Sequence, residues 1–151
     1  MDKFIKFLVE AKRKTYASND ESSEKVLKDG TKELSFKDGN FLYRDRYYGS
    51  EFFAGEEVVF KNKKPLWVMN YSGRFLVDDC LKTDLYAFLK KSLKKVNQKT
   101  IFRGPEKFKQ GIFSYVNAIK GKADDFHGEE FIYCKGKKVY ELRYHGGVLK
   151  Y

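Results

Sequence analysis

The stretch GEEVVFKNKKPLWVMNYSG at residues 55–73 is matched, nineteen positions for nineteen, by GEEFIYCKGKKVYELRYHG at residues 128–146. The two share their bounding glycines, a pair of glutamates and one tyrosine, while nearly every apolar residue differs. Each reads as an alternating apolar run, a short polar turn and a second alternating run, the pattern of a β-hairpin. Pro65 falls at the start of a strand, where its missing N–H is tolerated.

The recurrence extends outward from these stretches. Phe36, Gly39, Phe41, Tyr43 and Gly49 return 72 residues later as Phe108, Gly111, Phe113, Tyr115 and Gly121. One residue further on, Phe53, Gly55, Glu56, Glu57, Lys64, Tyr71 and Gly73 return at an offset of 73 as Phe126, Gly128, Glu129, Glu130, Lys137, Tyr144 and Gly146. Asp38-Gly39 between two aromatic runs predicts a further tight hairpin. Residues 2–14 carry Phe4, Ile5, Phe7, Leu8 and Ala11 at helical spacing, and residues 84–96 carry Leu85, Phe88, Leu89, Leu93 and Val96, before Gly104-Pro105 breaks the pattern. The expectation is an α+β fold: a tandem duplication of a helix plus antiparallel strand unit, forming a sheet with two helices packed on it. One domain covers residues 1–151, with repeats at about 2–75 and 81–151 joined by a short linker. Polar, turn-rich residues 17–32 read as a mobile loop.

Composition narrows the function classes. The net charge of +10 rests on 31 basic residues, of which only six are arginine, the residue that bidentate phosphate and base recognition favours. Lys90, Lys91, Lys94 and Lys95 occupy the polar face of the second helix, a solvated surface that implies weak, non-specific nucleic-acid binding at most. No apolar run reaches the roughly 20 residues of a membrane span, and MDKFIKFLVEAKRK interrupts any signal-peptide core with charges. A cytoplasmic protein with no membrane partner is expected. Cys80 and Cys134 form no CxxC pattern, so neither a disulfide framework nor a zinc ribbon is indicated.

The blocks FLVEAKRKTYA, GNFLYRDRYYG, FAGEEVVFKNKKPLWVMNYSGR, FRGPEKFKQGIFSY and YELRYHGG, spanning residues 7–147, resemble an uncharacterised prokaryotic domain family of unknown function. That family occurs alone or C-terminal to XRE-type helix-turn-helix regulators. The resemblance implies a regulatory context, and with no DNA-binding domain expected before Phe4, a separate DNA-binding regulator as partner.

Candidate chemistry lies on the strands. Alternation places Tyr140, Leu142 and Tyr144 on one face of a strand, and Glu141, Arg143 and His145 on the other, where they form either a solvated charged ladder or a small enzyme site using Glu141 and His145. His127, Cys134 and His145 match no metal-ligand spacing, and no Walker loop, GxSxG elbow or HExxH is present, so no metal, cofactor or catalytic residue is assigned. Aromatic residues reach 17%. Tyr43, Trp67, Tyr71, Tyr115, Tyr140 and Tyr144, with Glu57 and Glu130, are the expected ligand-binding set in a crevice between the halves, suited to a small flat or cationic ligand. By analogy of architecture alone, the arrangement resembles the effector-binding domains of bacterial multidrug regulators. A non-catalytic small-molecule-binding or sensing module of a regulatory system is the leading reading. Nucleic-acid or polyanion binding, and the small enzyme, are the alternatives.

Overall fold

The structure, a computed structural model, describes residues 1–17, 24–77 and 79–151. Helix α1 (Asp2–Lys14) is followed by strands β1 (Lys25–Val26), β2 (Lys32–Asp38), β3 (Phe41–Gly49), β4 (Phe52–Lys61) and β5 (Lys64–Phe75). Helix α2 (Asp79–Leu93) then precedes β6 (Lys107–Gln110), β7 (Phe113–Lys122), β8 (Asp125–Cys134) and β9 (Lys137–Val148). The strands form one nine-stranded sheet in the order β1-β2-β3-β4-β5-β9-β8-β7-β6, each neighbouring pair antiparallel. Its outer edges are a two-residue and a four-residue strand, too short to template pairing with another chain.

Hairpin chemistry matches the turn residues. Gly39 takes a positive φ between β2 and β3, and Asn62 and Lys63 both do so between β4 and β5, as a two-residue primed turn requires. Strand alternation then sorts the sheet into an inner face, covered by the helices, and an outer face. On β5 the inner residues are Trp67, Met69 and Tyr71, all buried, and the outer ones include Asn70, Ser72 and Arg74. Phe4, Phe7, Leu8 and Ala11 of α1 pack on the inner face over β2 and β3, and Leu85, Phe88, Leu89 and Leu93 of α2 pack nearer β7. Phe7 stacks on Phe41 at 5.1 Å, and Phe88 on Phe113 at 5.2 Å.

This is a mostly-β fold with flanking helices, and it corrects the expected α+β duplication of a helix plus strand unit. The two helices contribute 13 and 15 residues, and the core is organised by a single continuous sheet. Residues 67–75 of β5 pair with residues 140–148 of β9 along nine registered positions, so no boundary divides the sheet. The flanks also differ: five strands follow α1 and four follow α2. The recurrent glycines and tyrosines reflect close packing across neighbouring strands. Gly55 is the register partner of Tyr71, and Gly128 of Tyr144. A Cβ on Gly55 would stand 2.5 Å from Tyr71 Oη, and one on Gly128 would stand 2.3 Å from Tyr144 Cζ, so each ring lies against a bare backbone.

The expected loop at residues 17–32 lies partly outside the described residues. Within the described part, Lys25 and Val26 pair with Glu33 and Lys32, and Asp29 accepts hydrogen bonds from the backbone N–H and the hydroxyl of Thr31.

Candidate functional site

Three elements deliver charge to the inner face. Along β3, alternation turns Tyr43, Asp45 and Tyr47 toward the helices. On α1, Lys12 continues the stripe of Phe4 and Leu8 at four-residue steps and is fully buried, with Tyr16 just beyond the helix end. Between α2 and β6, the chain carries buried Ile101, Phe102 and Arg103 beneath the sheet, where Phe102 stacks on Phe126 at 4.0 Å.

Two ion pairs anchor this cluster. Arg103 holds Glu130 with both arms of its guanidinium, Nε to Oε2 at 3.1 Å and Nη2 to Oε1 at 2.9 Å, the strong bidentate geometry. Glu130 also accepts hydrogen bonds from Tyr115 and Tyr140, so its buried charge is well satisfied. Lys12 Nζ lies 2.7 Å from Glu57 Oε2 and donates to the Phe102 carbonyl. Lys12 is the cation that meets the Glu57 carboxylate, and both side chains are fully buried. Burial lowers the Lys12 pKa, an effect opposed by the charge of Glu57.

Asp45 completes the cluster without an ion pair of its own among the described residues. It is 3% exposed, sits directly opposite Glu57 in the β3–β4 register, and accepts a 2.6 Å hydrogen bond from Tyr71 Oη. Two cations, Lys12 and Arg103, thus face three carboxylates, Asp45, Glu57 and Glu130. Burial, followed by repulsion from Glu57, raises the Asp45 pKa to about 7, while Tyr71, Arg103 and Lys12 oppose the shift. Burial and then nearby carboxylates push Tyr16, Tyr43 and Tyr71 upward, so all three remain hydroxyls at neutral pH. The hydroxyls of Tyr16 and Tyr43 have no hydrogen-bond partner among the described residues.

A cavity of about 660 Å³ opens onto this cluster between α2, the end of α1 and strands β2 to β5. Its buried end is formed by Tyr16, Asp45, Tyr71 and Arg103, and Phe53 and Phe75 wall it. Towards solvent stand Tyr86 and charged groups that include Lys32 and Glu51. The Tyr16 ring lies 5.2 Å from the Arg103 guanidinium and 5.7 Å from Lys12 Nζ, so aromatic faces already accommodate cations here.

All eight residues of the expected ligand-binding set lie on the inner face, and Tyr71 is the one that lines the cavity. Tyr71 and Tyr144 are register partners across β5 and β9. Tyr144 donates to Asn117 at 2.7 Å, and Trp67 donates to the Ala123 carbonyl at 3.0 Å while stacking on Phe126. Tyr43 is fully buried, and Tyr115 and Tyr140 surround Glu130. Asp45, Tyr16 and Phe53, which line the cavity, were absent from the expected set.

Glu141, Arg143 and His145 occupy the outer face. Glu141 is gripped by Arg74 at 2.7 Å and Lys138 at 2.9 Å, and hydrogen bonds from these two hold its carboxyl below the usual range. Four residue steps along the strand separate it from His145, roughly 13 Å, too far to share a proton directly. Arg143 pairs with Glu129 at 3.2 Å. Arginines that could join the lysines of the second helix against a polyanion are dispersed: Arg103 lies in the core, while Arg46, on the outer face away from α2, pairs with Glu33 at 2.5 Å.

Among the described residues, no group of three or more His, Cys, Asp and Glu side chains is placed to hold a metal ion, and no helix is long and apolar enough to cross a membrane. No curated protein and no solved structure matches the chain. A family model, described as Domain of unknown function (DUF5680), matches residues 45–149, a span that takes in Asp45, Glu57, Tyr71, Arg103 and Glu130 but leaves out α1 with Lys12 and Tyr16. With more than half its length matched, the chain belongs to that family of domains of unknown function.

Proposed function

We propose that the protein is a non-catalytic small-molecule-binding or sensing module of a cytoplasmic regulatory system, and that it takes a small flat or cationic ligand in the cavity above Asp45. The observation that carries this reading is the carboxylate excess at the buried end of an aromatic-walled cavity. A ligand cation there would complete the charge balance of three carboxylates and two cations, and the rings of Tyr16, Phe53 and Tyr71 would receive its flat body. The groups at that end suit binding. Tyr16 and Tyr71 are held as hydroxyls, and the Thr15 hydroxyl is committed to the Ala11 carbonyl at 2.8 Å. The resemblance to domains found alone or after an XRE-type helix-turn-helix supports a separate DNA-binding regulator as the partner that reads the bound state.

The test is a thermal-shift and calorimetric screen at pH 8 of arylalkyl amines, whose aliphatic ammonium is charged at that pH, against their neutral isosteres. A ligand that binds only the native state raises the unfolding temperature with its occupancy. The amines should stabilise the wild-type chain, and Asp45→Asn should reduce the shift while remaining folded. Equal shifts in Asp45→Asn, or no shift with any amine, would overturn the proposal.

A further inference from the structure

The outer face of the sheet, on the side opposite the cavity, brings together the chain's two histidines. His127 of β8 and His145 of β9 are direct cross-strand partners, although they stand 18 positions apart in sequence. Both are exposed, so neither is committed to a core, and both line one shallow depression of about 370 Å³. Directly opposed side chains on an antiparallel pair have Cβ atoms about 4.5–5.5 Å apart. At that span two imidazoles can each give a ring nitrogen to one ion at about 2.0–2.1 Å.

We infer that His127 and His145 form a two-imidazole site for one divalent transition-metal ion of borderline softness, such as nickel(II), copper(II) or zinc(II). Imidazole nitrogen suits these ions over calcium or magnesium, which prefer oxygen. Water fills the remaining positions, so the site is open and exchangeable.

The surrounding row tunes the affinity. Across β4, β5, β9, β8 and β7 the register runs Glu56, Asn70, His145, His127, Lys120. Asn70 gives its amide nitrogen to Glu56 at 3.0 Å, which leaves its amide oxygen as the lone-pair atom beside His145. Lys120, exposed at the other end, opposes a bound cation. Along the strands, Arg143 and Glu129 neutralise each other, and Asp125 adds a negative charge on the same face two residues before His127. The spacing in sequence matches no ligand motif because pairing register, not local periodicity, creates the juxtaposition.

The test is competition of nickel(II) chloride against a chromophoric chelator, using the untagged full chain at pH 7.5. One equivalent should bind at micromolar concentration. His127→Ala or His145→Ala should each weaken binding by about tenfold or more, one ligand's share of the binding free energy. Both positions are exposed, so metal-free unfolding temperatures should stay close to wild type. Cys134→Ser should bind as wild type does, and Lys120→Ala should bind more tightly because it removes a like charge beside the ion. Binding unaltered in both histidine variants, or lost in Cys134→Ser, would overturn the inference, as would no binding up to millimolar nickel.

Discussion

Tyr71 Oη donates a 2.6 Å hydrogen bond to Asp45 Oδ1, reaching from β5 across the intervening β4 to β3. That bond fixes the carboxylate at the buried end of the cavity and bears on its proton affinity. Burial and Glu57 still dominate, so Asp45 takes up its proton near neutrality.

Stability should therefore fall as pH rises through this range. The folded pKa of about 7 lies above the ordinary value of 3.8, so the native state binds the proton more tightly than the unfolded chain. The contribution is complete below about pH 4 and is lost by the time pH passes 7. Asp45→Asn mimics the protonated form and retains an acceptor for Tyr71. Its unfolding free energy should exceed that of wild type at pH 8 by up to a few kcal/mol, and the difference should shrink toward pH 5. Urea titrations at the two pH values provide the comparison. A less stable Asp45→Asn at pH 8 would contradict the charge argument.

Amine binding should show the opposite slope. Protonating Asp45 removes the charge that the ligand completes, while an aliphatic amine keeps its own proton throughout. Calorimetry should find tighter binding at pH 8 than at pH 5.5, by about tenfold if the charge contact contributes 1.4 kcal/mol. Equal affinity at both values would place the ligand elsewhere.

Breaking the Lys12–Glu57 pair from one side should be costly. Lys12→Met leaves a buried carboxylate beside Asp45 with its nearest cation gone, a loss of about 3–5 kcal/mol. The double variant Lys12→Met, Glu57→Leu should recover most of that loss, because it buries no unpaired charge. A double-mutant cycle by chemical denaturation separates the two outcomes.

Gly128→Ala should destabilise by about 1–3 kcal/mol through overpacking, because its Cβ would collide with the Tyr144 ring. Combining it with Tyr144→Leu should relieve part of the collision while giving up the hydrogen bond to Asn117. Gly136→Ala, by contrast, meets no atom within 4 Å, so its cost should come only from the positive φ of 83°.

Much of this site was written locally. Tyr43, Asp45 and Tyr47 alternate along one strand face, and an acidic residue between two tyrosines on the helix-covered side is a readable anomaly. Lys12 likewise interrupts the apolar stripe of Phe4 and Leu8. The hairpin at Asp38-Gly39 was legible from its turn residues, and the next was legible to within one residue, since Lys64, expected in the turn, opens β5. Arg103 was not placed, since its segment is neither strand nor helix and has no period to read. The fold class was misjudged because recurring residues were taken for equivalent units. Whether two hairpin sets stand apart or merge depends on the β5–β9 pairing, which joins residues about 70 positions apart and leaves no local mark. The opposition of His127 and His145 was hidden for the same reason.

The β5–β9 pairing also sets an order of events during synthesis. The first five strands emerge before β9 exists, and until then β5 is an unpaired edge carrying Trp67, Val68 and Met69. A long apolar edge of that kind recruits other chains. The nascent protein is therefore at its most aggregation-prone while residues 76–148 are being made, and the arrival of β9 both closes that edge and completes the inner face around Glu130.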